Sequence, residues 1–166
     1  MNVLRYMSDF SITCPDFNEG EEIPKKFGYK FENEVPVIHF NNFPKNTSSF
    51  ALIMDDPDAM AAVGKVWVHW LVCDAGANIP LGIASSWFLR DESRNSRGIY
   101  GKTDFGEIGY GGPAPPDKRH TYIFKGYALD VVLHNHLEEG YSKQELEDVM
   151  KGHILAEAKL TGTFAP

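Results

Sequence analysis

The sequence predicts a mainly β domain with one confident helix near its C-terminus. Three observations carry that prediction. Short apolar runs recur along the whole chain; 15 Gly and 10 Pro in 166 residues punctuate them at intervals too short for long helices; and β-branched and aromatic residues dominate the most apolar run. A single domain, residues 1–166, is expected, because two cores would each fall near the size at which burial becomes marginal. Hydrophobic residues make up 43% of the chain and aromatics 13%, ample material for a packed core.

In chain order, the first third alternates apolar runs such as Phe10-Ser11-Ile12 and Val37-Ile38-His39-Phe40 with Pro15, Gly20, Pro24 and Gly28, and reads as edge strands and loops. Ser49 to Met54 is a short apolar run bounded by turn residues, the pattern of a strand buried on both faces, and it ends in Asp55-Asp56-Pro57-Asp58. Val66 to Asp74 is the strongest strand, and a period of two puts Trp67, His69, Leu71 and Cys73 on one face with Val68, Trp70 and Val72 on the other. Residues 85–119 show little periodicity and read as a long loop region, of the kind that usually carries function. From His120 a strand resumes whose alternation places His120, Tyr122 and Phe124 together. Ser142-Lys143-Gln144-Glu145 has capping-box form, Leu146, Val149 and Met150 recur at helical spacing, and Gly152 suits the residue just past the helix. Alternation after Ile154 then predicts a final strand, with a longer helix through Ala158 as its competitor.

Composition narrows the function classes. A net charge of −7 and a pI near 5.3 argue against a nucleic-acid partner, which needs Lys and Arg to neutralise phosphates. No stretch approaches the ~18 apolar residues of a membrane span, and the start MNVLRYMSDF lacks the apolar core of a signal peptide, so a cytoplasmic address is expected. Cys14 and Cys73, without CxxC spacing, fit a reducing compartment. No GxSxG elbow, phosphate loop of GxxxxGK[ST] type or HExxH helix is present. Cys73 shares a predicted face with His69, but four strand residues separate them by roughly 13 Å, too far for a nucleophile and its base. His134 and His136 have a spacing that a metal could use; a solvated hairpin end is the simpler reading, and no metal or cofactor is assigned.

What asks for an explanation is an acid cluster ending a buried strand, a His within the most apolar strand, and a His/Tyr pair after a Gly/Pro-rich loop. A buried imidazole needs a hydrogen-bond partner, and Asp56 or Asp58 could orient His69 and favour its charged form. A charged imidazole, a Tyr hydroxyl and glycine-loop N–H groups together suit a carboxylate or a phosphate.

These stretches resemble the phosphatidylethanolamine-binding protein family, in its bacterial and archaeal branch similar to Raf kinase inhibitor protein. Phe17, Gly20, Ile23 and Pro24 match its opening segment, Asp55-Asp56-Pro57-Asp58-Ala59 its DPDAP segment, and Trp67 to Leu71 its Trp-His strand. Asp104-Phe105-Gly106 and Gly109 to Pro116 match its DFGxxGYxGPxPP loop, His120-Thr121-Tyr122 and Tyr127 to Asp130 its HRYxFxxYALD strand, and Ile154 to Phe164 its closing segment. Met60 and Thr121 depart from the family pattern, which has Pro and Arg there, and residues 31–37 fit it only in part. The resemblance implies a Greek-key β-sandwich of two antiparallel sheets and a small pocket for phosphate, acetate or a phosphorylated headgroup. By matching position, Asp56 and His69 would form one wall, His120 and Tyr122 the other, and Ala114, Pro115 and Pro116 the loop side, with Asp58 and Trp67 behind them. It further implies a regulator or inhibitor acting on a protein target such as a kinase or protease, as a homodimer, without catalytic residues. The alternative is a hydrolase in which Asp56 orients His69 as general base and His120 stabilises an oxyanion.

Overall fold

The computed structural model describes residues 9–79 and 98–166. The start considered for a signal peptide (residues 1–8) and the first part of the predicted loop region (residues 85–97) lie outside the described residues. Strand β1 (Ser11–Thr13) pairs with β2 (Ile38–Asn41), which pairs with β5 (Asn78–Ile79). A second sheet runs in the order β6 (Ile99–Tyr100), β4 (Trp67–Ala75), β3 (Ser49–Asp56), β7 (His120–Leu129), β8 (Ile154–Phe164), antiparallel throughout. The mainly β fold of two antiparallel sheets is as expected, and β8 resolves the competition after Ile154 in favour of a strand. Among the described residues no helix is long and apolar enough to cross a membrane.

Each element has a local cause. All eight residues of β3 are buried, because this strand is central in its sheet and covered on both faces, which explains its unbroken apolar run. Helix α1 (Ala59–Val63) is a single turn after Asp56-Pro57-Asp58 and stops at Gly64, whose φ of +79° suits glycine. Helix α2 (Lys143–Met150) is closed by the predicted capping box: Glu145 N donates to Ser142 Oγ at 3.2 Å and Ser142 N donates to Glu145 Oε2 at 2.7 Å.

The five-stranded sheet separates two apolar clusters. Phe50, Leu52, Met54, Trp70, Val72, Tyr122 and Phe124 pack with Ile12, Ile38 and Phe40 of the small sheet. Ala51, Ile53, Val68, Leu71 and Cys73 pack on the other side with Leu146 and Met150 of α2 and with Leu133 and Leu137. These memberships correct the predicted faces of β4. Val68 lies with Leu71 and Cys73, not with Trp70 and Val72. The reason is a β-bulge: Asp55 pairs with Val68 and Met54 with Trp70, so His69 is an extra residue between two rungs. Its ring meets Tyr122 at 5.1 Å, on the side of the small sheet. Strand β7 has no irregularity over this stretch, and His120, Tyr122 and Phe124 share a buried face as its alternation predicts.

Candidate functional site

At the end of β3 the pleat sends two adjacent carboxylates to opposite sides of the sheet. Asp55 goes toward Lys125 and Lys143, and Asp56 toward a cavity of about 200 Å³. Asp56, His69 and His120 supply the cavity's ionisable lining; Ala59, Ala62 and Val63 of α1, with Trp67, Phe105, Ala114 and Pro116, supply an apolar wall. Pro115 is buried behind the lining, and Tyr122 reaches the site through its ring contacts with His69 and His120.

Asp56 is 3% exposed and does not hold His69. Its Oδ1 accepts from Ala59 N at 3.2 Å, fixing the turn into α1, and its Oδ2 lies 2.7 Å from Nδ1 of the fully buried His120. The other ring nitrogen of His120, Nε2, lies 2.7 Å from Oδ1 of Asp117. A neutral imidazole has one N–H and could satisfy only one of two carboxylates, so this geometry calls for the imidazolium, donating at both ends. Burial opposes the charge, but the hydrogen bonds and charges of Asp56 and Asp117 outweigh it and raise the His120 pKa above 6.5. The same bond lowers the pKa of Asp117. A raised folded-state pKa contributes stability that is full below the unfolded value near 6.5 and lost as pH rises through the folded value. The stability gap between wild type and His120→Gln, followed by urea denaturation, is therefore expected to narrow as pH rises above 6.5; a pH-independent gap overturns the charged-pair assignment.

His69 is held differently. Its Nδ1–H donates to the Gly111 carbonyl at 2.7 Å, and Gly111 N donates back to the His69 carbonyl at 2.9 Å. Burial lowers its pKa, against opposing effects of the Gly111 bond and the Asp56 charge, so the neutral ring presents Nε2 as an acceptor. The expectation that Asp56 or Asp58 orients His69 is thus replaced by a backbone carbonyl of the glycine-rich loop. Asp58 instead accepts from Thr121 N at 2.8 Å, tying the turn to the start of β7.

The loop is built to stay close. A Cβ on Gly112 would overlap the Phe27 carbonyl, so this approach requires glycine. Gly112 N donates to Asn33 Oδ1 at 2.8 Å and Tyr110 OH to the Phe27 carbonyl at 2.9 Å. The Gly111 and Gly112 N–H groups, expected to face an anion, are thereby committed to protein acceptors. Asp104 accepts from Val68 N at 2.7 Å and Lys65 Nζ at 2.6 Å, which carries Phe105 into edge contact with Trp67 and His69 while it stacks on Tyr29 at 3.9 Å. Lys65 also sits 5.7 Å from the Trp67 ring centroid. The Tyr122 hydroxyl and Trp67 Nε1 are buried without hydrogen-bond partners among the described residues; burial, then the Asp56 charge, raise the Tyr122 pKa and keep it a donor.

Sequence reasoning missed Asp117, although an acid three residues before a strand-initial His was visible. Away from the cavity, His134 lies in a turn with its Nδ1–H donating to Asp74 at 3.0 Å. Among the described residues no three His, Cys, Asp or Glu side chains form a metal-ligand set. Cys73 is wholly buried, and that burial pushes its thiol pKa up to about 12, far from a thiolate nucleophile.

A two-sheet antiparallel β protein with an acid–imidazole pocket where its central strand ends is the class that this fold and site define. Residues 13–165 match the family model described as phosphatidylethanolamine-binding protein, and the chain belongs to that family. It is 39% identical over 155 residues to a UPF0098 protein of Chlamydia muridarum, covering 92% of this chain and 97% of that one. A UPF0098 protein of Methanothermobacter thermautotrophicus is 40% identical over 152 residues, covering 89% and 93%. Among solved structures, a phosphatidylethanolamine-binding protein homolog from Chlamydia trachomatis superposes with a TM-score of 0.80 at 34% identity, over 95% of this chain and 97% of that one. Escherichia coli YbcL, described as a new member of the mammalian family, gives 0.77 at 27% identity over 93% and 97%. Family membership supports a ligand-binding protein.

Proposed function

We propose that the cavity binds a small anion or a phosphorylated headgroup, and that the protein works as a regulator or inhibitor whose contact with a protein target, a kinase or protease as the family resemblance implies, depends on that occupancy. The observation that carries the reading is His120, a wholly buried imidazolium lining a cavity of anion size. His69 stands across from it, neutral when empty and able to donate from Nε2 once protonated. The Tyr122 hydroxyl is a further buried donor without a partner among the described residues. A hydrolytic role has less support, because Asp56 is engaged with His120 and not with the proposed base. A single domain, a homodimer and a cytoplasmic address belong to the same proposal; light scattering tests the assembly.

Calorimetric titration of phosphate, acetate and phosphoryl-ethanolamine into wild type at pH 6 is expected to show saturable binding that the His69→Ala/His120→Ala variant loses. Because burial lowers the His69 pKa in the empty site, a phosphate dianion, which brings a second negative charge, must draw a proton onto it, so affinity for the dianion is expected to fall as pH rises from 5 to 8, by up to tenfold per unit. Absence of binding to wild type overturns the reading; binding with flat affinity over that range removes protonated His69 from it.

A further inference from the structure

His120 has no donor to spare. Both ring N–H groups end on carboxylates at 2.7 Å, so an anion can be received by this imidazolium only if one carboxylate leaves. The two are not equally free. Asp56 is 3% exposed, at the end of a wholly buried strand, and its second oxygen is committed to Ala59 N. The Asp117 side chain is 42% exposed, in the exposed stretch Pro116–Arg119 between the cavity-lining loop and β7.

We propose that Asp117 is a resident anion of the site, a carboxylate of the chain itself that holds the place of the ligand on His120 and must swing out for an external anion to bind. The inference rests on the anion-pocket reading above and adds the group that sets its threshold.

The exchange balances charge. In the closed arrangement, Asp56 and Asp117 contribute two negative charges against one on His120, with His69 neutral. An incoming monoanion replaces the charge that Asp117 removes, and the outward carboxylate regains water, so the swap leaves no buried ion unpaired. A dianion brings one charge more and requires the proton on His69. The gate therefore favours monoanions, carboxylates above all, since a carboxylate already satisfies Nε2 in the closed form. Phe105 and the α1 wall beside it suit a carboxylate borne on a short apolar chain.

Competition of this kind lowers apparent affinity by the fraction of molecules that are open. Calorimetry at pH 6.5 on the full chain, with acetate and inorganic phosphate as probes, compares wild type, Asp117→Asn and Asp117→Ala, each checked for folding by circular dichroism. Acetate affinity is expected to rise about tenfold in Asp117→Ala and less in Asp117→Asn, where a neutral acceptor still reaches Nε2. In parallel, NMR titration is expected to show the His120 pKa falling in Asp117→Ala, which a merely structural loop residue would not cause. Wild-type binding with no gain in either variant overturns the gate and leaves the pocket; no binding by any of the three proteins overturns the pocket and the gate with it.

Discussion

Replacing Lys125 and Lys143 together with methionine is expected to destabilise the fold by about 3–5 kcal/mol, seen as a lower urea midpoint. Asp55 is 1% exposed, and its Oδ2 accepts from Lys125 at 3.2 Å and from Lys143 at 2.8 Å, while Oδ1 has no hydrogen-bond partner among the described residues. Half of this carboxylate is already unsatisfied, so taking away both ammonium groups leaves a buried charge with nothing to offset it. Either lysine alone should matter less, because the other remains. The cluster also joins three elements, with Asp55 on β3, Lys125 on β7 and Lys143 at the first turn of α2. A triple variant with Asp55→Leu added should recover most of the loss, since an apolar replacement of a whole buried ion cluster is often neutral or better. An unchanged midpoint in the double variant would show that the lysines do not hold this charge.

Asp74→Ala is expected to cost about 3–5 kcal/mol in thermal or urea unfolding, more than Asp74→Asn. Asp74 is 4% exposed and accepts from Leu133 N at 2.6 Å, His134 N at 2.8 Å and His134 Nδ1 at 3.0 Å. Truncation strands two backbone N–H groups, one on a residue that is 1% exposed, at about 1–3 kcal/mol for each. Its φ of +52° adds a penalty for alanine that asparagine largely escapes. Equal stability of the two variants would mean that the hydrogen bonds do not anchor the 131–137 segment to the sheet.

The legibility of the fold followed periodicity. The unbroken apolar run of β3, the capping box of α2 and the alternation of β7 and β8 are local patterns with local causes, and the structure repeats them. The face assignment of β4 failed because a bulge is a backbone event with no periodic signature. Val66 to Asp74 reads as smooth alternation, although the ladder skips at His69. In the site, residue types were readable and partners were not. Asp56, His69 and His120 line one cavity, yet which acid holds which imidazole depends on how far each strand runs before it turns. Asp117 fell within the long loop region, where no periodicity singles out one residue, and Asp55 was grouped with its neighbours although strand parity alone separates it from Asp56.

The same irregularity recurs at the other end of β4. Between Phe50 and Asp56 the partner strand has seven residues, and between Trp67 and Ala75 β4 has nine. One surplus residue is His69; the other lies between Val72 and Ala75, where Asp74 takes its positive φ. Each irregularity brings a polar residue into a strand that is otherwise almost wholly apolar, His69 at one and Asp74 at the other, and these two carry the pocket imidazole and the loop anchor. In β4, polar function has been stored as extra length, two residues beyond what the partner strand matches.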